Sequence, residues 1–315
     1  MSDAASSAPL LPDAAPAGVR AFVDALVRAE PAQRDALPAA LARLDPGELD
    51  ALGAWLDFRV AHGRDVVQLA EDYLALMRMF TEEQFAFQRS GAYRNSTFAQ
   101  ALEEVYRRPD EMQAYMEGLA TSTFLWSNHL EMYRFFRTTF PAGRGGRYLE
   151  VGPGHGFFFR HALEVGAFDV VRGIDVSETS IALTRQVLEH FHPGLQDRVE
   201  LTCTDFLDAT ALEPGSFDVL VMGEVVEHVE DPLTFLRRLR DLGTDDAWFF
   251  VTTCANAPAP DHIFLFRACD DIRALLDEAG FAVVDALELG WDGRDPVKCA
   301  RRRLPINVAY ALRKA

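Results

Sequence analysis

Short apolar runs of strand length alternate with helical stretches through the second half of the chain, and this alternation narrows the possible folds more than any other feature. The first five runs are RYLEV, DVVRGI, VELTC, FDVLVM and AWFFVTT, and helical segments such as ETSIALTRQVLEHF fill most of the gaps. This alternation predicts an α/β fold, with a doubly wound, mostly parallel sheet and helices on both faces. Two further runs, FAVVDALEL and LPINVAYAL, bring the predicted strands to seven. No obvious helix separates these two, which favours an antiparallel final hairpin.

The chain before this region is predicted to be helical. Apolar residues recur at three- and four-residue spacing in GVRAFVDALVRAE and DVVQLAEDYLALMRMFTEEQFAF, as they do on one face of a helix. The glycine-rich stretch PAGRGGR, residues 141–147, is the best candidate for a domain boundary. The chain is therefore divided into a disordered leader rich in Ala, Pro and Ser (residues 1–17), a helical cap (18–140) and an α/β domain (141–315).

Composition and charge limit the compartment in which the protein is expected and the classes of partner that it can bind. The formal net charge of −17 disfavours nucleic-acid binding, because contacts to phosphates need clustered Lys and Arg. No apolar run reaches the roughly 18 residues that span a bilayer, and the N-terminus lacks the features of a secretory signal. The four cysteines are widely spaced, so neither a zinc site nor a redox pair is predicted. These features predict a cytoplasmic protein that binds neither nucleic acid nor a membrane, and they leave its oligomeric state open.

Three glycines at every second position follow the first predicted strand, in YLEVGPGHGFFF. Glycines at this spacing allow the backbone to turn sharply and to lie against a ligand, because they carry no Cβ. A dinucleotide-binding fingerprint would place its third glycine at residue 157, where this chain has Phe. An NAD-linked reductase is therefore disfavoured.

The pattern from Glu150 to Gly156, an acidic residue followed by glycine at every second position, resembles motif I of the class I S-adenosylmethionine-dependent methyltransferases. The later stretch FDVLVMGEVVEHVEDP resembles the small-molecule enzymes of the ubiquinone-biosynthesis type. The resemblance covers residues 141 to about 290 and implies S-adenosyl-L-methionine as the cofactor. It also implies that Glu150 helps to hold the cofactor's ammonium group and that the glycine loop passes under its amino-acid end.

Acidic residues at the ends of later strands complete the implied cofactor site. Asp175 can accept hydrogen bonds from both ribose hydroxyls. The resemblance implies that Asp205 takes the adenine amino group and that Phe206 packs on the ring. A Tyr hydroxyl or an Arg in the cap could hold the cofactor's carboxylate. The expected cofactor-binding residues are Glu150, Gly152, Gly154, Gly156, Asp175, Val176, Asp205, Phe206, Gly223, Glu224 and Tyr93.

The segment after the fourth predicted strand allows two interpretations. The resemblance implies that Glu227-His228-Val229 begins the next helix, where His228 either acts as a general base or only supports the loop. Glu224 and His228 are four residues apart, as metal ligands on a helix can be, but no third ligand is visible and no metal is predicted. His262, in a proline-rich loop after the fifth strand, is the second candidate base, and loop structure is its alternative role.

The last stretch of the cap contains aromatic and polar residues that could line the acceptor site. Asn128 and Tyr133 are candidates, and an aromatic wall could stabilise a sulfonium by cation–π contacts. Alternatively, the aromatic residues form only the core stripe of a helix. The candidate catalytic residues are His228, His262, Tyr133 and Asn128.

Three functions agree with these motifs. The first is methyl transfer to a small molecule in a biosynthetic pathway. The second keeps the fold and cyclises S-adenosylmethionine itself to azetidine-2-carboxylate and methylthioadenosine, which a tight cap without an acceptor pocket would favour. The third is a cofactor-binding module without catalysis, and the joint presence of Glu150, Asp175, Asp205 and Glu224 disfavours it.

Overall fold

The predicted seven-stranded, mostly parallel sheet is confirmed. A computed structural model describes residues 10–195 and 198–315 of the chain. The strand order is β3-β2-β1-β4-β5-β7-β6, in which β7 lies antiparallel between β5 and β6. The strands are β1 (Gly145–Val151), β2 (Ala167–Asp175), β3 (Val199–Cys203), β4 (Phe217–Gly223), β5 (Gly243–Ala255), β6 (Phe281–Gly290) and β7 (Ile306–Lys314).

The final hairpin is antiparallel as predicted, but its connection contains a short helix that the sequence analysis did not predict. Asp295 caps this helix by accepting a hydrogen bond from the Lys298 N–H at 2.9 Å, and Pro296 occupies its first position. Both are common helix-start residues. The helix has only six residues, too few for an apolar periodicity to reveal it.

Helices cover both faces of the sheet and form the N-terminal cap, as predicted. Those that follow the first strand are α8 (Phe157–Val165), α9 (Glu178–Phe191), α10 (Pro232–Leu242), α11 (Cys269–Glu278) and α12 (Pro296–Arg301). Those that precede it are α1 (Ala17–Ala29), α2 (Gln33–Leu41), α3 (Pro46–Ala61), α4 (Val66–Ser90), α5 (Phe98–Ala101), α6 (Pro109–Leu125) and α7 (Ser127–Thr139), with a π-helical turn at Leu102–Tyr106 between α5 and α6.

Apolar packing joins the cap to the sheet domain. Phe136 of α7 packs on Phe250 of β5 at 4.9 Å between ring centroids, so α7 covers one face of the sheet. Phe157 of α8 lies in the apolar core of the cap. The predicted disordered leader needs a correction in its second half, because Leu11 and Ala15 are buried in that same core. Residues 1–9 of the leader lie outside the described part of the chain.

The sheet brings four strand ends to one edge. Val151 at the end of β1 pairs with Met222 of β4, and Asp175 at the end of β2 pairs with Cys203 of β3. The chain order reverses between β1 and β4, and ligands of such sheets bind outside the carboxyl ends of the strands at this point. Within the described residues, no helix combines the length and apolarity needed to cross a bilayer.

Candidate cofactor and acceptor site

A cavity of about 420 Å³ lies between the carboxyl ends of these strands and the helical cap, within the range of small-molecule sites. Most of the residues predicted for the site line it. The predicted cofactor-binding residues that line it are Glu150, Gly152, Gly154, Asp175, Val176, Asp205, Phe206, Gly223 and Glu224. The predicted catalytic residues that line it are Tyr133, His228 and His262.

Three predicted residues are not among those that line the cavity. Gly156 is the residue before α8 and has a φ of 80°. Asn128 donates a hydrogen bond at 2.7 Å to Asn307, which does line the cavity. Tyr93 packs edge-on against the ring of His262, with 5.8 Å between the centroids. Tyr93 thus contacts a residue of the cavity wall without lining the cavity itself, and its contact with the cofactor stays a prediction.

The glycine loop between β1 and α8 requires its glycines for conformational and steric reasons. Gly152 has a φ of 71° and Gly154 a φ of 54°, a region that favours glycine. A Cβ at Gly152 would lie 2.6 Å from Cγ2 of Val225, which is closer than packing permits. The loop can therefore approach a ligand with its backbone, as the sequence predicted.

Glu150 is a buried carboxyl group beneath this loop. The Tyr148 hydroxyl donates a hydrogen bond to it, and it is 1% exposed. Burial raises its pKa to about 8, and the nearby Asp175 adds to the increase. A cationic ammonium group would stabilise the ionised form. The residue thus fits the amino-acid end of S-adenosylmethionine.

Asp175 connects the end of β2 to the glycine loop. It accepts hydrogen bonds from the Ser177 N–H at 2.9 Å and from the Gly154 N–H at 3.4 Å. Burial raises its pKa to about 6, while these backbone donors lower it. Its carboxylate retains acceptor capacity toward the cavity, which fits the predicted contact with ribose hydroxyls.

The adenine end of the expected cofactor site lies beyond β3. Asp205 accepts a hydrogen bond from the Leu207 N–H at 2.7 Å, which orients its carboxylate at the cavity edge. Phe206 is 2% exposed and packs on Phe235 at 5.7 Å between ring centroids. This arrangement agrees with a rigid apolar wall for a planar ring.

His228 is one of the residues that line the cavity. Its Nδ1 lies 3.0 Å from the backbone oxygen of Asp261, so in the neutral form this nitrogen carries the proton and Nε2 holds the lone pair. The predicted helix start is wrong: Val226–His228 forms a single 3₁₀ turn, and α10 begins only at Pro232. Asp231 caps α10 and Pro232 fits its first position, which fixes the later start.

Three residues of this region were missed by the sequence analysis. Tyr106 donates a hydrogen bond to Oδ2 of Asp261 at 3.1 Å, and Tyr115 donates one to Oδ1 at 3.2 Å. The only sequence signal was the proline-rich loop around Asp261, which had been noted for His262 alone. The His228 and His262 rings lie 4.7 Å apart. His262 directs its Nδ1 to the Ala257 oxygen at 2.6 Å, and burial lowers its pKa to about 4.

Two neighbouring carboxyl groups follow β4, that of Glu224 at the cavity wall and that of Glu227, which is fully buried. Burial raises the pKa of Glu224 and, well above its usual value, that of Glu227, where the neighbouring Glu224 adds to the increase. Thr253 donates a hydrogen bond to Glu227 at 2.7 Å. Both carboxyl groups therefore favour the protonated form more than solvent-exposed carboxyl groups do.

Two groups of described residues place possible metal-ligating atoms within 4.8 Å of one another. They are Glu227, Cys254 and His262, and His228, Asp261 and His262. Glu224, the partner considered for His228 in the sequence, belongs to neither. Several of these atoms already have hydrogen-bond partners in the protein, including Nδ1 of His262 and Nδ1 of His228.

The charged side chains of the cavity wall are mainly acidic. Among the described residues that line it, none is Lys or Arg. The wall contains seven carboxyl groups, those of Glu150, Asp175, Asp205, Glu224, Glu230, Asp231 and Asp261. The remaining wall on the cap side is mainly aromatic and methionine-rich, with Phe80, Phe98, Tyr106, Met112, Tyr115 and Met116.

Comparison with known proteins identifies relatives of the α/β region. A family model described as a methyltransferase domain matches residues 128–286. The ubiquinone biosynthesis O-methyltransferase of Neisseria meningitidis serogroup C is 34% identical over 117 residues, which cover 36% of this chain and 47% of that relative. The protein of the same name from Thiobacillus denitrificans is 34% identical over 132 residues, covering 42% and 54%. The chain thus spans about half the length of the curated relatives it matches.

Two solved structures share the fold. Mitomycin 7-O-methyltransferase has a TM-score of 0.51 and 18% identity, with 79% of this chain and 72% of that chain covered. Phosphoethanolamine N-methyltransferase 2 of Haemonchus contortus, solved with S-adenosylhomocysteine, has a TM-score of 0.51 and 16% identity, with 70% and 61% covered. Likenesses at this level of identity concern the fold.

Proposed function

The chain belongs to the methyltransferase-domain family and has S-adenosyl-L-methionine as its cofactor, and we propose that it methylates a hydroxyl oxygen of an uncharged small molecule in a biosynthetic pathway of the cytoplasm. The orientation of His228 is the observation that carries this proposal. Its Nδ1 is held by the Asp261 backbone oxygen at 3.0 Å, so Nε2 carries the lone pair of the neutral ring, and His228 is one of the residues that line the cavity. The relatives named as O-methyltransferases support oxygen as the methylated atom.

The predicted cofactor-binding residues would bind the cofactor and orient it. When bound, the cofactor supplies a methyl group on a positively charged sulfur that is already activated for transfer, so the protein needs no nucleophile of its own. Glu150 would hold the ammonium group of the cofactor, Asp175 the ribose and Asp205 the adenine. The cap would limit access of water and would align an acceptor oxygen with the methyl group, and such alignment can contribute a large part of a rate enhancement.

His228 removes the proton of the acceptor hydroxyl. A base is needed because a neutral hydroxyl is a weaker nucleophile than its anion, and a positioned base contributes roughly 10²–10⁴-fold. The neighbouring His262 is neutral near pH 7, since burial lowers its pKa to about 4. It therefore does not repel a proton that arrives on His228.

The walls of the cavity define the acceptor class. An anionic acceptor would find carboxyl groups and no Lys or Arg among the described lining residues. Its charge would be desolvated without a partner, at a cost of several kcal/mol. Tyr106, Tyr115 and Phe98 offer aromatic surface instead. The wall therefore disfavours an anionic acceptor, and the proposal takes an uncharged molecule with an apolar or aromatic body and one reactive hydroxyl.

The test begins with mass spectrometry of the protein incubated with S-adenosylmethionine, first alone and then with a panel of uncharged phenols and catechols and their carboxylated counterparts. The expected result is an intact cofactor without acceptor and a mass gain of one methyl group on uncharged compounds. His228→Gln should lower the rate at least tenfold with unchanged cofactor affinity, whereas the exposed control His190→Gln should not. Activity of His228→Gln equal to that of the wild-type protein would contradict the proposal.

Cyclisation of S-adenosylmethionine is the second candidate, and the closeness of the cap to the glycine loop favours it. Sδ of Met116 lies 3.7 Å from the position of a Cβ on Gly154, so a cap side chain covers the amino-acid end. In this reaction a bond forms between the amino nitrogen and the γ carbon, the γ carbon–sulfur bond breaks, the nitrogen loses a proton and methylthioadenosine leaves. Accumulation of methylthioadenosine without any acceptor, above the spontaneous background, would select this reaction. Binding without turnover in either assay would select the non-catalytic module.

A further inference from the structure

We infer that two side chains of the cap, the hydroxyl of Tyr133 and the imidazole of His129, bind the carboxylate of the cofactor's amino-acid part. The inference rests on the proposed function in taking the cavity as the site of S-adenosylmethionine. Tyr133 is then a cofactor-binding residue rather than a catalytic one. His129 joins it, although it is not among the residues predicted for the site.

The cavity offers no positively charged Lys or Arg side chain to this carboxylate. Among the described residues that line it, neither type is present, whereas seven carry carboxyl groups. An anion placed there without a partner would be costly. Neutral hydrogen-bond donors can satisfy it, and hydrogen bonds to a charged group are stronger than those between neutral groups. Of the two groups considered for this role, a Tyr hydroxyl is therefore favoured over an Arg.

Tyr133 of α7 lies beside the segment that follows the glycine loop. Its ring is 6.0 Å from that of Phe157 and 6.3 Å from that of Phe158 between centroids, and these are the first two residues of α8. Phe158 in turn reaches the end of β4, since its Cε2 lies 3.0 Å from the position of a Cβ on Gly223. The amino-acid end of the cofactor is expected at this loop, so Tyr133 is on the corresponding side of the cavity.

His129 lies one helical turn before Tyr133 on α7. Residues four apart share one face of a helix, and both of these side chains line the cavity. His129 also interacts electrostatically with His155, which belongs to the glycine loop and packs on Phe157 at 4.5 Å between ring centroids. The two cap residues therefore face the same end of the cavity.

Both side chains have an atom available for a ligand. Among the described residues, the Tyr133 hydroxyl has no hydrogen-bond partner, and His129 uses only its Nδ1 in a hydrogen bond. Neither the hydroxyl of Tyr133 nor Nε2 of His129 is fully buried. Burial raises the pKa of Tyr133, so its hydroxyl keeps the proton that it would donate.

The tautomer of His129 can adapt to a bound carboxylate. Burial lowers its pKa to about 4, so the ring is neutral near pH 7. The Ser122 hydroxyl lies 2.8 Å from Nδ1 of His129 and 2.7 Å from the Leu119 backbone oxygen, and it can donate to either. When it donates to Nδ1, the proton of the neutral ring is on Nε2, which then donates to the carboxylate. A bound carboxylate favours this tautomer.

The test compares two ligands that differ only in the carboxylate. S-adenosylhomocysteine carries it, and its decarboxylated analogue, S-adenosyl-3-thiopropylamine, keeps the ammonium group, the ribose and the adenine. Calorimetry should show that the wild-type protein binds S-adenosylhomocysteine at least about tenfold more tightly. Tyr133→Phe and His129→Asn should each weaken S-adenosylhomocysteine by about tenfold and leave the affinity for the analogue within about twofold. Asparagine can still bond Ser122 but has no atom at the position of Nε2.

Two control variants accompany this comparison. Tyr73→Phe removes another hydroxyl of the cap, which bonds Trp126 at 3.0 Å and is not at the cavity wall, and it should change neither affinity. Glu150→Gln should weaken both ligands, because both carry the ammonium group that Glu150 is proposed to hold.

The outcomes separate this inference from the proposed function. Equal affinity of the wild-type protein for the two ligands, or equal losses with both ligands in Tyr133→Phe, would overturn the inference. Unchanged affinity for S-adenosylhomocysteine in either variant would overturn the assignment of that residue. A loss confined to S-adenosylhomocysteine would support the inference even if no acceptor were ever methylated, since binding needs no turnover. Failure of the proposed function would instead appear as the absence of any methylated acceptor.

Discussion

Buried carboxyl groups are the residues that most clearly mark this site. Glu150 and Asp175 lie at the ends of neighbouring strands, and burial raises the pKa of both, to about 8 and about 6. Such groups destabilise the folded protein unless a ligand or a proton neutralises them. Their retention is understandable if a cationic ligand with several hydroxyl groups occupies the cavity.

Glu150 should make cofactor affinity depend on pH. Below pH 8 its carboxyl group is mostly protonated in the free protein, and an ammonium ligand favours the ionised form, so binding releases a proton. Affinity for S-adenosylhomocysteine should therefore increase from pH 6.5 to pH 8, by up to about tenfold per unit. Calorimetry across this range measures it. Glu150→Gln should abolish this increase of affinity with pH, and the exposed control Glu164→Gln should keep it. If the increase survives in Glu150→Gln, the released proton belongs to another group.

At the level of elements, the glycine loop joins β1 to α8 and determines how closely a ligand can approach. The chain turns there through left-handed conformations at Gly152, Gly154 and Gly156, with φ values of 71°, 54° and 80°. Val225, in the segment that follows β4, packs against the first of them, so two neighbouring strand ends share one wall of the cavity.

Replacement of Gly152 by alanine should therefore cost both stability and cofactor binding. The left-handed backbone alone costs about 1–2 kcal/mol of unfolding free energy for a residue with a Cβ. The new Cβ would also lie 2.6 Å from Cγ2 of Val225 and would push it into the cavity. Gly63→Ala is the control for strain, because Gly63 has a φ of 87° and open space around it. Denaturation should show a lower free energy of unfolding for both variants. Calorimetry should show a loss of at least about tenfold in cofactor affinity only for Gly152→Ala. Normal affinity in Gly152→Ala would refute the close approach.

At the level of the whole molecule, the arginine of a buried ion pair within the cap also contacts a helix of the sheet domain. Arg59 of α3 donates hydrogen bonds to Glu117 of α6 at 2.8 and 3.0 Å and to Gln186 of α9 at 2.9 Å. Arg59 is 2% exposed and Glu117 is fully buried. Together with the apolar contacts of Phe157, this contact makes the cap part of one cooperative structure.

Loss of one partner of this pair should destabilise the protein more than loss of both. Arg59→Met leaves Glu117 buried without its main counter-charge and should lower the free energy of unfolding by about 3–5 kcal/mol. The double variant Arg59→Met/Glu117→Met should recover part of that loss. Urea denaturation measures both, with Arg237→Met as control, because its exposed pair with Glu278 at 3.5 Å should contribute less than about 1 kcal/mol. Equal losses in the single and double variants, or a separate unfolding step for the cap, would contradict this view.

The sequence by itself determined the sheet and the edge of acidic residues and glycines that we propose as the cofactor side of the site. Strand and helix periodicities are local, and the acidic residues and glycines of the cofactor side follow their own strands directly. Their positions at one edge follow from parallel pairing, as Val151 opposite Met222 illustrates. The later start of α10 after His228 and the short helix α12 depend on capping residues and prolines. Hydrophobic periodicity does not resolve such local features.

Only the tertiary structure decided the acceptor side. Tyr106 and Tyr115 lie 155 and 146 residues before Asp261 in the chain, and nothing in their own segments distinguishes them from core aromatic residues. They meet because the cap folds over the loop after β5. Tyr93 shows the converse, since its polar segment suggested a cofactor contact, while packing placed it against His262 and not among the residues that line the cavity. Contacts between distant segments depend on how the cap docks, and that docking is the sum of many buried side chains rather than a property of any motif.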